Sequence, residues 1–122
     1  MRILGVTEKW PKLKKPKWTT FRLQRRDRDW QVGELVQVVY QPRSKRRLVM
    51  GVARIIGIEL RHFYTPNPQG RRVTFQEALR DGFTSEEEME RWMLKHHGDR
   101  VLKEPLNKLT LEWIGEGYEQ NV

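Results

Sequence analysis

Apolar and polar positions alternate with period two in two stretches of this chain, three further runs are apolar or rich in β-branched residues, and one segment carries a helical period. "RILGVT" opens as a short apolar run that predicts a first strand. In "WTTFRLQ", Thr19, Phe21 and Leu23 alternate with Thr20, Arg22 and Gln24, the pattern of a strand with one face inward. Thr20 and Arg22 then share a face. "ELVQVVY" follows the turn residue Gly33 and is rich in β-branched side chains, which favours a third strand. "LVMGVARIIGIELRHF" is the longest apolar stretch, and Gly51 and Gly57 suit bends or bulges, so a long, curved return strand is expected. "KLTLEWI" closes the pattern, with Leu109, Leu111 and Trp113 inward against Lys108, Thr110 and Glu112.

Between these runs lie the breakers. Pro11 and Pro16 mark "EKWPKLKKPKW" as an extended loop, "PRSKRR" reads as a hairpin loop, and two prolines with Asn67 and Gly70 make "YTPNPQGRR" a loop. The two helices come late. In "TFQEALRDG", Thr74 and Glu77 have the spacing of a capping box and Gly82 can end the helix in the left-handed conformation. In "TSEEEMERWMLKHHG", Ser85 and Glu88 repeat the box, acidic residues crowd the first turn, and Gly98 closes it. Met89, Trp92, Met93 and His96 fall on one face, which is read as core. The sum is an α+β fold, a small curved barrel or strongly bent sheet of about five or six strands, with two helices inserted before the last strand. At 122 residues a single domain spanning 1–122 is expected.

Charge adds a direction. The net charge is +8, but residues 1–30 carry ten Lys/Arg against three Asp/Glu, whereas residues 73–122 carry six against eleven. A basic segment of that size attracts polyanions, which makes RNA or DNA the leading partner class. Cysteine is absent, which excludes disulfides, thiol nucleophiles and thiolate metal sites and leaves a cytoplasmic location as the default. The start is too short in apolar residues for a signal peptide, and no run of 18 or more apolar residues occurs, so no membrane partner is expected. His96 and His97 are adjacent and diverge on a helix, and His62 has no motif partner, so no metal and no other cofactor is expected.

The binding chemistry concentrates in "KLKKPKWTTFRLQRRDRDW". Lys12, Lys14, Lys15, Lys17, Arg25 and Arg26 are interleaved with tryptophans, and aromatics that stack on unpaired bases beside cations that hold phosphates are how single strands are gripped. Trp18, which shares a face with Thr20 and Arg22, is the expected stacking residue. Arg43, Lys45 and Arg46 at the hairpin tip offer a second phosphate contact.

"KPKWTTFR" resembles the lysine-x4-arginine signature of the ASCH domains, which belong to the PUA-like superfamily of small β-barrels, with Lys17 and Arg22 in the signature places. "VGELVQV", "EALRDGFTSEEEMERW" and "LTLEW" extend the likeness from about Leu4 to Trp113. One departure stands out: where the family has a glycine two residues before the lysine, this chain has Lys15.

The resemblance implies a cleft for a nucleobase or a short stretch of RNA. In the members that act as N4-acetylcytidine amidohydrolases it implies an active site of lysine, threonine and acid, whose places fall on Lys17, Thr20 and Asp81, the last one methylene shorter than the family's glutamate. The residues allow that chemistry, since a desolvated lysine can take the proton of a threonine hydroxyl. Three functions therefore stand: an RNA-binding domain holding a base with Lys17, Trp18, Thr20, Arg22 and Asp81; an amidohydrolase on an acylated nucleoside, with Thr20 as nucleophile, Lys17 as base and Asp81 orienting it; and a protein-interaction module using the acidic helices 74–97.

Overall fold

A computed structural model of the chain describes residues 1–63 and 71–115. The fold is α+β. Six strands are present among the described residues, β1 (Arg2–Val6), β2 (Lys17–Leu23), β3 (Leu35–Tyr40), β4 (Leu48–His62), β5 (Arg71–Arg72) and β6 (Leu106–Ile114), with helices α1 (Phe75–Arg80), α2 (Glu86–His97) and α3 (Arg100–Lys103) between β5 and β6. The sheet is mixed, in the order β1-β3-β4-β6-β2, with β5 added beside β4. β1 runs parallel to β3, β3 antiparallel to β4, and β5 parallel to β4.

Two compact units share this chain. The first holds residues 1–18, 31–57 and the segment from Thr110, and the second holds 19–30 and 58–109. In the first, Leu4, Val36, Val38, Met50, Ile55 and Leu111 are wholly buried, which follows from the inward positions of β1, β3, β4 and β6. The register of β3 against β4 slips between Val38 and Val39, where Val38 faces Gly51 and Val39 faces Val49. Gly51 has φ +151, so the glycine expected to bend the return strand sits at its bulge. In the second unit the core is formed by Phe21, Phe63, Met89, Met93, Leu106 and Leu109.

The helix caps follow the sequence signals in part. Thr74 and Glu77 form the full capping box, each side chain bonded to the other's amide at 3.1 Å, and Gly82 and Gly98 take positive φ after α1 and α2. At α2 the Ser85 hydroxyl accepts from the Glu88 amide, but the Glu88 carboxylate is met by the Thr84 hydroxyl.

Three elements differ from the sequence reading. Residues Pro11–Lys14, expected as extended loop, make a turn of 3-10 helix, started by the fixed φ of proline at its first position. It is held from the far end of the chain, where the Trp113 indole N–H donates to the Leu13 carbonyl at 2.8 Å and the Trp113 amide to the Pro16 carbonyl at 3.0 Å. A third helix, α3, joins the two expected. The loop expected over 64–72 lies outside the described residues except for Arg71 and Arg72, which form β5.

Candidate functional site

The basic residues of the first unit divide by what surrounds them. Trp18, expected to stack on a base, is only 4% exposed, and its ring lies 5.4 Å from that of Trp113. Lys12 is buried with it, its ammonium 6.0 Å from the Trp18 ring centre. Neither side chain is presented to solvent, because the 3-10 turn folds Lys12 back over the indole. Lys17 has a 65% exposed side chain and pairs with Glu112 at 3.8 Å. Lys14, Lys15, Arg43, Lys45 and Arg46 are exposed and form no ion pair with any described residue. The last three ride on a tight turn in which the Ser44 amide donates to the Gln41 carbonyl and the Arg46 amide to the Ser44 hydroxyl, both at 3.0 Å. The chain leading to the 3-10 turn touches the base of this hairpin, with the Lys9 ammonium over the Tyr40 ring at 5.1 Å.

In the second unit a polar cluster gathers around Arg22. The Arg22 Nε–H donates to the Thr20 hydroxyl at 3.3 Å, and Thr20 is buried. Burial lowers the pKa of the Arg22 guanidinium to about 10, against the opposing pull of the Asp81 carboxylate. Asp81 itself is buried at the end of α1, where its amide donates to the Glu77 carbonyl. Of the residues expected together, Arg22 is bonded to Thr20 and its charge is influenced by Asp81. Lys17 is different. β2 begins at Lys17 itself, and along an extended strand positions 17 and 20 alternate to opposite faces.

The loop "QRRDRDW" is ordered by one carboxylate. Asp29 Oδ1 accepts from the amides of Arg25 and Trp30 at 3.0 and 2.9 Å, while the buried Asn107 amide group donates to both Asp29 oxygens at 2.9 and 3.1 Å. Arg25 is engaged by Asp27 through two bonds of 3.0 and 3.1 Å and lies over the Trp30 ring at 5.6 Å. Of the loop's cations, Arg26 is the one near Glu104, whose carboxyl Arg100 holds below its usual range. Replacing Asn107 with alanine removes both donors to Asp29 and is expected to cost about 1–3 kcal/mol of stability, read by urea unfolding.

Sequence reasoning assigned the α2 face to the core, and the structure corrects half of it. Met89 and Met93 are buried, but Trp92 is half-buried and His96 exposed. The His96 ring stacks on Trp92 at 4.1 Å, and Phe83 backs the indole at 5.8 Å. His97, 6.2 Å from the same ring, is held below the ordinary histidine range by burial and then by the positive charges of Arg22, His96 and Arg100. The helical period shows which residues share a face, not whether that face is covered, so this aromatic and imidazole group was not legible.

Nearby, Glu77 anchors a buried ion network. Its carboxylate accepts from Arg61 Nε at 2.9 and 3.1 Å and pairs with Lys108 at 2.6 Å, while exposed Glu59 pairs with the same two cations at 3.3 and 3.7 Å. Burial works to raise the Glu77 pKa, and the bonds from Lys108, the Thr74 amide and Arg61 outweigh it and lower it.

Among the described residues no three His, Asp or Glu side chains gather as a metal site, and no helix is long and apolar enough to cross a membrane. Comparison with protein-family models, with curated proteins and with solved structures finds no match to this chain.

Proposed function

We propose that this chain is an RNA-binding domain of ASCH type with a PUA-like barrel, holding a single-stranded base or modified base through Arg22, Thr20 and Asp81 and gripping the backbone through exposed lysines and arginines. The observation that carries this reading is the set of exposed cations, Lys14, Lys15, Arg43, Lys45 and Arg46, that no described carboxylate neutralises. Cations placed for structure pair with acids, as Arg61 and Lys108 do; these five are left to solvent or to a polyanion. A largely buried guanidinium acted on by a buried carboxylate offers donors and acceptors of the kind that reads a base edge.

The hydrolase reading draws on Thr20 and Asp81 but asks for Lys17 as a desolvated base, and that side chain is in water and paired to Glu112. An interaction module on the acidic helices finds less support, since the Glu88 carboxylate is taken up by the Thr84 hydroxyl.

One experiment separates these readings. A fluorescent single-stranded RNA is titrated with the protein, and N4-acetylcytidine is incubated with it in parallel. The expected result is RNA binding that Arg22→Ala weakens about tenfold or more, equivalent to at least about 1.4 kcal/mol, with no cytidine released. Cytidine release that Thr20→Val removes would instead establish the hydrolase.

A further inference from the structure

We propose that the cavity at the base of the β3–β4 hairpin is a base subsite, which holds one unpaired nucleobase of a single-stranded RNA against Pro42 while the hairpin's cations hold the neighbouring phosphates. This rests on the RNA-binding reading above and adds to it a place for a base that uses none of Arg22, Thr20 or Asp81. The cavity measures about 310 Å³ and is lined by Thr7, Gln41, Pro42, Arg43 and Ser44. The residue after β1 thus forms one wall and the hairpin the other. That volume lies at the small end of the roughly 300–1,000 Å³ range of ligand cavities.

Four of the five lining residues are polar by type, yet the surface they turn to the cavity is almost wholly hydrocarbon. Such a wall releases its water to a planar ring and offers little to a lone anion. Charge stands immediately outside it. Arg43, Lys45 and Arg46 are exposed on the same turn, and the Lys9 ammonium lies 5.1 Å from the Tyr40 ring at the turn's base. An apolar slot rimmed by cations selects a ligand that joins an uncharged ring to an anion, as a nucleotide does. Three cations spread along one turn meet successive phosphates of a chain better than they meet a single headgroup.

The slot is held in shape without a ligand. Gln41 takes φ +43, a left-handed conformation uncommon outside glycine. Its amide donates to the Val6 carbonyl at 2.9 Å, its carbonyl accepts from the Ser44 amide at 3.0 Å, and its side-chain amide donates to the Tyr40 hydroxyl at 3.0 Å. Pro42 is seated against Gly5, where an added β-carbon would lie 3.0 Å from the proline Cγ, and its carbonyl accepts from Arg47 at 3.2 Å. Binding therefore does not have to order the wall. A strained glutamine kept at the mouth of a cavity is the kind of strain that collects at ligand sites.

A fluorescent single-stranded RNA and an abasic oligomer of the same length and charge are titrated with the wild type, Thr7→Phe and Thr7→Ala. Thr7 is exposed, so both variants should fold, which circular dichroism checks; Thr7→Leu, a smaller filler, replaces phenylalanine if that variant does not fold. Phenylalanine fills the cavity and removes no cation. Thr7→Phe is expected to weaken RNA binding about tenfold, the loss of one stacked base, and to leave the salt slope and the affinity for the abasic oligomer unchanged. Thr7→Ala leaves the cavity open and should bind RNA within about twofold of the wild type.

RNA binding by Thr7→Phe equal to that of the wild type overturns the subsite and leaves the RNA reading standing, since Arg22→Ala tests that reading separately. An equal loss for both oligomers, or a loss in Thr7→Ala as large as in Thr7→Phe, overturns the subsite as well. A wild-type protein that binds neither oligomer overturns the subsite together with the RNA reading. If that protein instead binds vesicles of phosphatidylcholine and phosphatidylserine, and Thr7→Phe abolishes the binding, the cavity is a lipid site.

Discussion

Replacing Glu77 with alanine lowers the free energy of unfolding by about 3–5 kcal/mol, measured by urea or thermal unfolding. The reason is what stays behind. Arg61 and Lys108 are both largely buried, and without Glu77 their remaining carboxylate partner is exposed Glu59, at 3.3 and 3.7 Å. Two charges in a low-dielectric setting then lack the anion that made their burial tolerable, and the capping box of α1 loses its carboxylate as well. Glu59→Ala, which removes the exposed partner alone, should cost less than about 1 kcal/mol. A third variant isolates the cause. Arg61→Met, Glu77→Leu and Lys108→Met made together remove the charges with the carboxylate, and should recover most of the loss even though the network is gone.

The same network gives an acid signature. Glu77 has a folded pKa below its ordinary 4.5, so its contribution is fully present above that value and is lost as the pH falls through the lowered folded value. Glu77→Gln should flatten the stability profile in that window.

The affinity for single-stranded RNA should fall about a hundredfold between 50 and 200 mM salt if five cations each displace a counterion, since each contributes a slope near −0.7 on log–log axes. The five are Lys14 and Lys15 at the end of the 3-10 turn and Arg43, Lys45 and Arg46 of the hairpin tip. Changing all five to alanine should leave a slope shallower by about 3.5 and an affinity at low salt weakened by orders of magnitude. Arg25→Ala is the informative contrast. That guanidinium already has a carboxylate, Asp27, so its removal should change the slope little. A wild-type slope near zero would remove the phosphate grip altogether. These cations sit on surface turns with exposed side chains, so the five-fold variant should keep the fold, which near-UV circular dichroism checks.

How much of this was readable in the sequence depends on the range of the interaction that fixes each feature. β2 and β6 were legible from alternation, because burial of one face leaves a mark every second residue. Thr74, Glu77, Ser85, Gly82 and Gly98 were legible because caps are written within four residues. Gly51 announced the bulge in β4 because only glycine takes its φ without strain.

The 3-10 turn was hidden, since what holds it is Trp113, a hundred residues away from Leu13. α3 was hidden because it is four residues long and its N-cap, Asp99, makes no side-chain capping bond. Glu77 was readable as a cap but not as the anion of Arg61 and Lys108, 16 residues before it and 31 after. In the candidate site, Thr20, Arg22 and Asp81 were singled out; Arg22 is bonded to Thr20 and feels the Asp81 charge. The burial of Trp18 and Lys12 and the exposure of Lys17 depend on packing that a local pattern does not record.

The bond between Trp113 and Leu13 also bears on how the chain is made. During synthesis the amino-terminal third leaves the ribosome long before β6 exists. The first unit can pair β1, β3 and β4, but it must wait for Leu111, whose side chain is wholly buried, and for the indole that clamps the 3-10 turn. Closing so wide a loop is slow, because its entropy is spent before the contact returns anything. In that interval the most basic part of the chain stands with Trp18 uncovered, beside the RNA of the ribosome that is making it. β6 is what puts Trp18 away, so the surface with Lys14 and Lys15 outside and the Trp18 indole inside first exists when that strand docks.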